Sequence, residues 1–278
     1  MLLPSRDSLK LLLAILFAWA GLQAPAEAKE LVPPQLQGVT IEEKLGDKAA
    51  IDAAFTDHNG EAVSLKDYLT GDLPVMLTLN YYRCETLCSF QLNAMLTGLK
   101  SLDWTPGEKF RVVTVSIDPR ETAELAAKKR ATYLDDYGRG PDVDWNFLTG
   151  DAEQIEALAD SIGFRYQYIE DEDQYSHPAA ATFLAPDGTI TRYLAGLTYE
   201  ARDIRFALME ASDGTVGNPI EQFVFSCYRY DYVGGKYTPF AFGVMRAAGS
   251  LTVMGLVLLI GFLLRQERLR AQMMETPT

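Results

Sequence analysis

The sequence predicts a mixed α/β domain carried between two ends that are directed at a membrane, and three observations lead there. Short apolar runs alternate with segments of helical period through the middle of the chain. The first 28 residues have the layout of a secretory signal. From Gly243 to Leu264 an apolar stretch is long enough to cross roughly 30 Å of hydrocarbon.

In the leader, Arg6 and Lys10 precede an apolar run from Leu11 to Leu22, and small residues end at Ala26-Glu27-Ala28. Residues 1–28 therefore read as a signal peptide cleaved after Ala28, since the apolar run is too short to span a bilayer comfortably. The next segment, residues 29–50, mixes Pro, Gly and charge without a period and reads as an extended lead-in.

The domain is expected over residues 51–212. "AAFTDHNGEAVSLKDYL" predicts a hairpin turned at His58-Asn59-Gly60 and then a helical turn. "PVMLTLNYY" suits a central buried strand, and Phe90, Leu92, Met95, Leu96 and Leu99 follow at near-helical spacing. "RVVTVSID" is a second buried strand and "ETAELAAKKRATYLDDY" a second helix. A third strand, "WNFLTG", leads into a helix opened by Asp151 and closed by Gly163. "FRYQYIE", a hairpin turned at Pro186-Asp187-Gly188 and the helix "YEARDIRFALMEAS" complete the domain. Strands alternating with helices before a final hairpin and helix fit the thioredoxin-like type, although the pattern alone does not separate it from other small α/β folds.

Residues 213–242 form an unusually aromatic juxtamembrane connector with Cys227 in its middle. The predicted transmembrane helix, residues 243–264, has Arg246 near one interface and Arg265, Arg268 and Arg270 beyond the other. The positive-inside rule puts the tail, residues 265–278, in the cytoplasm and the domain outside. The signal peptide demands the same orientation. The expectation is a single-pass protein of a bacterial inner membrane whose domain faces the periplasm. A formal net charge of -13 excludes a nucleic-acid partner and disfavours anionic lipid surfaces beyond the anchor.

The chemistry concentrates in "LNYYRCETLCSF", which holds Cys84 and Cys88, two of only three cysteines. They fall where a buried strand ends and a helix begins, and thiols near a helix N-terminus become thiolates more readily. Spacing i, i+4 places both on one helix face, within reach of a single ion. A structural disulfide, a buried reduced pair and a metal site all fit that spacing. Of the two histidines, His58 reads as a solvated turn residue. His177, in "EDEDQYSHPAAATFLAPDG", ends an acidic loop just before the last hairpin. In a thioredoxin-like arrangement that loop packs beside the dithiol helix, so His177 can approach both sulfurs. Two thiolates and an imidazole suit copper(I) first and zinc second. A closed structural zinc site normally shows four such ligands.

These segments, together with "VVTVSIDPRETAELAAKK" and "FLTGDAEQIEALADSIGFRY", resemble the Sco/SenC copper-binding proteins involved in cytochrome c oxidase assembly. The resemblance implies a thioredoxin-like fold and copper, as Cu(I) or Cu(II), held by Cys84, Cys88 and His177. Asp118, in "SIDPR", matches the family's acidic position near the metal loop and is implied to stand behind the ligands, with capping of the loop and following helix as its competing role. The tail resembles a bacterial branch anchored at its C-terminus, which assigns nothing to Cys227. Two positions depart from the family pattern: Glu85 where many relatives have proline, and Pro178 after His177.

The function so implied is a copper metallochaperone serving the binuclear copper centre of cytochrome c oxidase subunit II, with other periplasmic copper carriers as further partners. The competing enzymatic reading is a thiol-disulfide reductase in which Cys84 and Cys88 act on that subunit or another periplasmic protein. A third reading makes the pair a structural disulfide, whose four-residue spacing closes too short a loop to gain much. A peroxidase would need a Pro-x-x-x-Thr-x-x-Cys setting, and "MLTLNYYR" stands ahead of Cys84 instead.

Overall fold

The computed structural model describes residues 38–83, 87–213, 228–231, 236–239, 248–259, 262–263 and 265–266, with the first three residues of the dithiol helix described as backbone. The strands are β1 (Thr40–Ile41), β2 (Ala54–Asp57), β3 (Ala62–Ser64), β4 (Val75–Asn80), β5 (Arg111–Ser116), β6 (Trp145–Thr149), β7 (Phe164–Arg165), β8 (Gln167–Ile169), β9 (Gln174–Ser176), β10 (Ala180–Leu184), β11 (Ile190–Ala195), β12 (Tyr228–Asp231) and β13 (Lys236–Pro239). The helices are α1 (Leu87–Lys100), α2 (Ala123–Tyr137), α3 (Ala152–Ser161) and α4 (Ala201–Ala211).

One mixed sheet runs in the order β11-β10-β4-β5-β6-β2-β3. Its centre, β4-β5-β6, is parallel, and the flanking strands are antiparallel. Parallel strands need helical crossovers that cover both faces, which is why β4 is buried along its whole length and reads as a mostly apolar run. Its side chains alternate: Met76 joins the core under α1, α2 and α4, while Val75, Leu77 and Leu79 join the core under α3. Between the strands of this core the Thr78 and Thr114 hydroxyls lie 3.0 Å apart, and Trp145 Nε1 donates to Thr114 Oγ1 at 3.0 Å. Asp151 caps α3 by accepting from the Gln154 N–H at 2.9 Å.

The fold takes in part of the segment expected as lead-in, a correction to a domain start near Ile51. β1 pairs with β7, Lys48 bridges to Thr189, and Ala49 is buried. The acidic stretch before His177 is likewise not a plain loop, because β8 and β9 pair there with Tyr168 opposite Tyr175. His58 also differs from its expected solvated state. It is half-buried, burial holds its pKa below the usual histidine value, and its Nδ1 has no partner among the described residues.

Part of the aromatic connector is a β12–β13 hairpin, and Tyr228 packs on Phe206 of α4 with ring centroids 5.1 Å apart. Cys227 lies outside the described residues, as does the expected signal peptide. Residues 248–259 are helical and exposed on all sides, with Leu251, Val257 and Leu258 each more than 60% exposed. No helix of the described residues is long and apolar enough to cross a membrane.

Gly163 tests how strongly β1 belongs to the domain. Its φ is +64°, its carbonyl accepts from Glu42 N at 2.8 Å, and a Cβ there would lie 1.9 Å from Glu42 O. Gly163→Ala should lower unfolding free energy by about 2–5 kcal/mol, from left-handed strain plus a backbone clash. Gly140→Ala, at positive φ with nothing within 4 Å, should cost only about 1–2 kcal/mol. Equal losses in urea unfolding would mean that the β1 contact contributes nothing.

Candidate functional site

Strand register brings together the two chain segments that flank the predicted site residues. β10 runs antiparallel to β4 with Ala181 opposite Thr78, so the chain leaving β4 and the chain entering β10 meet at one end of the sheet. Leaving β4 are Tyr81-Tyr82-Arg83 and then Cys84; entering β10 is His177. The rings of Tyr81 and His177 meet edge to face with centroids 6.1 Å apart. Cys84 and Glu85 lie outside the described residues, and Cys88 is the second residue of α1. In that first turn the main-chain N–H groups lack helical partners, and the positive end of the helix favours a thiolate.

His177 is only 4% exposed. Phe164 stacks on its ring at 6.0 Å. Nδ1 lies 3.0 Å from the carbonyl of Pro178. Because a carbonyl can only accept, Nδ1 carries the proton and the lone pair is on Nε2, which is the tautomer of a metal-ligating histidine. Around it the aromatic contacts continue: Tyr81 to Tyr175 at 5.6 Å, Tyr166 to Tyr175 at 5.9 Å and Tyr168 to Tyr175 at 5.0 Å. A groove of about 410 Å³ runs beside this cluster, lined in part by Pro119, Phe164, Tyr166 and Tyr168.

Two buried carboxylates fix the chain ahead of Cys84. Glu121 accepts from the main-chain N–H of Tyr82 at 2.8 Å and of Arg83 at 2.7 Å, and from the Ser116 hydroxyl at 2.6 Å. Burial raises its pKa above the ordinary value, outweighing those three hydrogen bonds. Asp118 is also fully buried, but it is paired with the Arg83 guanidinium and receives Arg120 Nε at 2.9 Å. Burial would raise the Asp118 carboxyl; hydrogen bonds from the Arg120 side chain and main chain, and from Arg83, overcome it and hold the group below its usual range. The helix-capping role considered for Asp118 falls to Thr122, whose side chain accepts from Leu125 N. Tyr82 adds an anchor, its hydroxyl 2.6 Å from Leu148 O and 2.9 Å from Thr114 O.

Below the first turns of α1, Gln91 Nε2 donates to Ala180 O at 2.9 Å. Gln91 Oε1 and both amide atoms of Asn80 are buried without a partner among the described residues. Buried polar atoms are nearly always hydrogen-bonded, so three orphans beside the dithiol segment fit a place completed by another polar species. Among the described residues, no three His, Cys, Asp or Glu side chains converge to hold a metal. His177 is the member of the expected ligand set whose side chain is described.

Sequence reasoning reached His177 and Asp118 but missed Glu121, Arg120 and Asn80. Glu121 follows Asp118 in an apparently ordinary polar loop, and its main-chain partners lie 38 and 39 residues away. No local pattern marks such a contact.

The family model of SCO1/SenC matches residues 43–210. A crystal structure from Aquifex aeolicus VF5, described as a candidate electron transfer protein, is 27% identical, covers 62% of this chain and 96% of that chain, and has a TM-score of 0.54. ScoI of Arabidopsis thaliana, crystallised with copper bound, is 21% identical over 52% of this chain and 88% of that chain, with a TM-score of 0.43. BsSco, described as a member of the Sco family of cytochrome c oxidase assembly proteins, is 21% identical over 62% of this chain and 97% of that chain, with a TM-score of 0.46. No curated protein sequence matches the chain. Because the family match spans more than half of the residues and takes in the sheet, the dithiol segment and His177, the chain belongs to the SCO1/SenC family.

Proposed function

We propose that this chain is a copper-binding protein of cytochrome c oxidase assembly, in which Cys84, Cys88 and His177 hold copper destined for the binuclear centre of oxidase subunit II. The observation that carries the reading is His177: buried among aromatic rings, protonated on Nδ1 by its contact with Pro178 O, and set at the sheet end from which the dithiol segment leaves. Two thiolates and one imidazole form a soft donor set that suits copper, and three ligands leave the ion exchangeable. Asp118 acts behind the ligands through Arg83, the residue next to Cys84. Family membership supports the same assignment.

The membrane anchor belongs to this proposal as well. A helix apolar on all sides needs a protein core or lipid around it. Residues 248–259 are exposed throughout, which supports a bilayer as their surroundings, with the domain on the periplasmic side. Cys88 in the first turn of α1 serves a thiol-disulfide reductase equally well, so the tests separate carrier from enzyme.

Detergent-purified protein should bind about one copper per chain and show thiolate-to-copper charge transfer that Cys84→Ser and Cys88→Ser each abolish. His177→Ala should weaken copper by roughly 100-fold or more, since even groups behind the ligands contribute 10–100-fold. Unchanged affinity in His177→Ala would defeat the ligand assignment. If instead a mixed disulfide with a periplasmic protein accumulates in Cys88→Ser, and His177→Ala keeps full reductase activity, the enzyme reading replaces it.

The anchor has its own test. The full chain should stay with membranes through an alkaline carbonate wash, and a chain ending after residue 242 should be released. Release of the full chain would overturn the anchor.

A further inference from the structure

The turn Asp118-Pro119-Arg120-Glu121 has two arms that reach opposite sides of the site. One arm is Glu121, which holds the main chain at Tyr82 and Arg83. The other is Arg120. Its guanidinium makes a two-point contact with Asp118, Nε to Oδ1 at 2.9 Å and Nη2 to Oδ2 at 3.0 Å. Its remaining nitrogen, Nη1, donates to Asp173 Oδ1 at 2.6 Å, and the group lies 5.2 Å over the ring of Tyr168. Tyr168 closes the circuit by donating to the same Asp173 oxygen at 2.6 Å.

Tyr168 and Asp173 belong to the β8–β9 segment, which leads straight into His177. Among the described residues, β8 and β9 pair only with each other and not with the main sheet. An isolated two-stranded hairpin is marginal in water. Its position therefore depends on side-chain ties, namely the Tyr175 ring contacts and the Arg120 bridge. Asp173 sits at the turn into β9 with φ +48°, a left-handed conformation that a non-glycine residue keeps only where its surroundings fix it. The bridge from Arg120 supplies that fixation.

We propose that this turn is a clasp that sets the separation of the two ligand-bearing segments, with Arg120 the positioning residue for His177 and Glu121 that for the chain entering Cys84. The inference rests on the copper reading of the site and assigns it two residues that touch neither metal nor ligand. An exposed Arg–Asp pair by itself contributes little. Arg120 matters because one planar group is shared among a buried carboxylate, a turn carboxylate and a ring.

The test is a double-mutant cycle with hydrogen exchange, both on the full chain in detergent. Arg120→Ala should weaken copper roughly tenfold, the scale of groups behind metal ligands, and should add nothing further in a His177→Ala background. In the copper-free protein, the amides of Gln174, Tyr175 and Ser176 should exchange roughly tenfold faster in Arg120→Ala while those of β4 and β10 stay unchanged. Asp173→Asn should reproduce both effects in weaker form. Unchanged exchange at β9, or the same fold-loss of copper with and without His177, would overturn the clasp. If the wild type takes no copper, or His177→Ala binds as the wild type does, the copper reading fails instead, and the exchange comparison still decides whether Arg120 holds β9.

Discussion

Two main-chain N–H groups, those of Tyr82 and Arg83, leave the end of β4 without strand partners and are taken up by one buried carboxylate, Glu121. Much of the site's geometry depends on that contact. An unpaired buried N–H costs about 1–3 kcal/mol, so losing the acceptor would impose that penalty at Tyr82 and strip the partly buried Arg83 N–H of its partner as well. The Ser116 hydroxyl donates to the same group, so the position must accept three hydrogen bonds and donate none. Glutamate meets this requirement and glutamine does not, because the amide nitrogen of glutamine can only donate. The raised pKa of Glu121 shows the opposing cost of burying the charge, which the three donors reduce without cancelling.

Three residues away, Asp118 resolves the same conflict in the opposite direction. Two guanidinium groups face it, and its carboxyl falls below the usual range although its side chain is only 1% exposed. The pairing also commits Arg83, the cation nearest Cys84 in sequence. An arginine that activates a peroxidatic thiol must direct its charge at the sulfur, whereas this one is compensated by Asp118 and held near Glu121. The Arg83 charge is thus directed at two buried carboxylates.

Legibility in the sequence followed the range of the forces involved. β4, β5 and β6 were plain because burial on both faces writes a mostly apolar run, and α3 because Asp151 and Gly163 mark its ends. The β10–β11 turn was written in Pro186-Asp187-Gly188, where Gly188 has φ +82°. β8 lies within "FRYQYIE", but β9 and its pairing with β8 were invisible, since a three-residue strand after Glu170, Asp171 and Glu172 shows no alternation and is held by ring contacts and Arg120. β1 was missed for a related reason, being two residues long and specified by its partner β7. In the site, His177 could be found because chemistry singles out a histidine. Glu121 could not, because its partners are backbone groups of no particular sequence.

Pro178, the departure from the family pattern that follows His177, restricts the His177 segment. Proline fixes its own φ near -65° and confines the residue before it to extended conformations. His177 is thus limited through its own backbone, then oriented by the hydrogen bond to Pro178 O, and then packed by Phe164 on its face and Tyr81 at its edge. Each constraint removes ring freedom that metal binding would otherwise have to remove, and ordering one such side chain costs about 0.5–1.5 kcal/mol. An imidazole placed in advance, with Nε2 as its acceptor nitrogen, therefore gains affinity for the proposed copper without any additional contact to the ion.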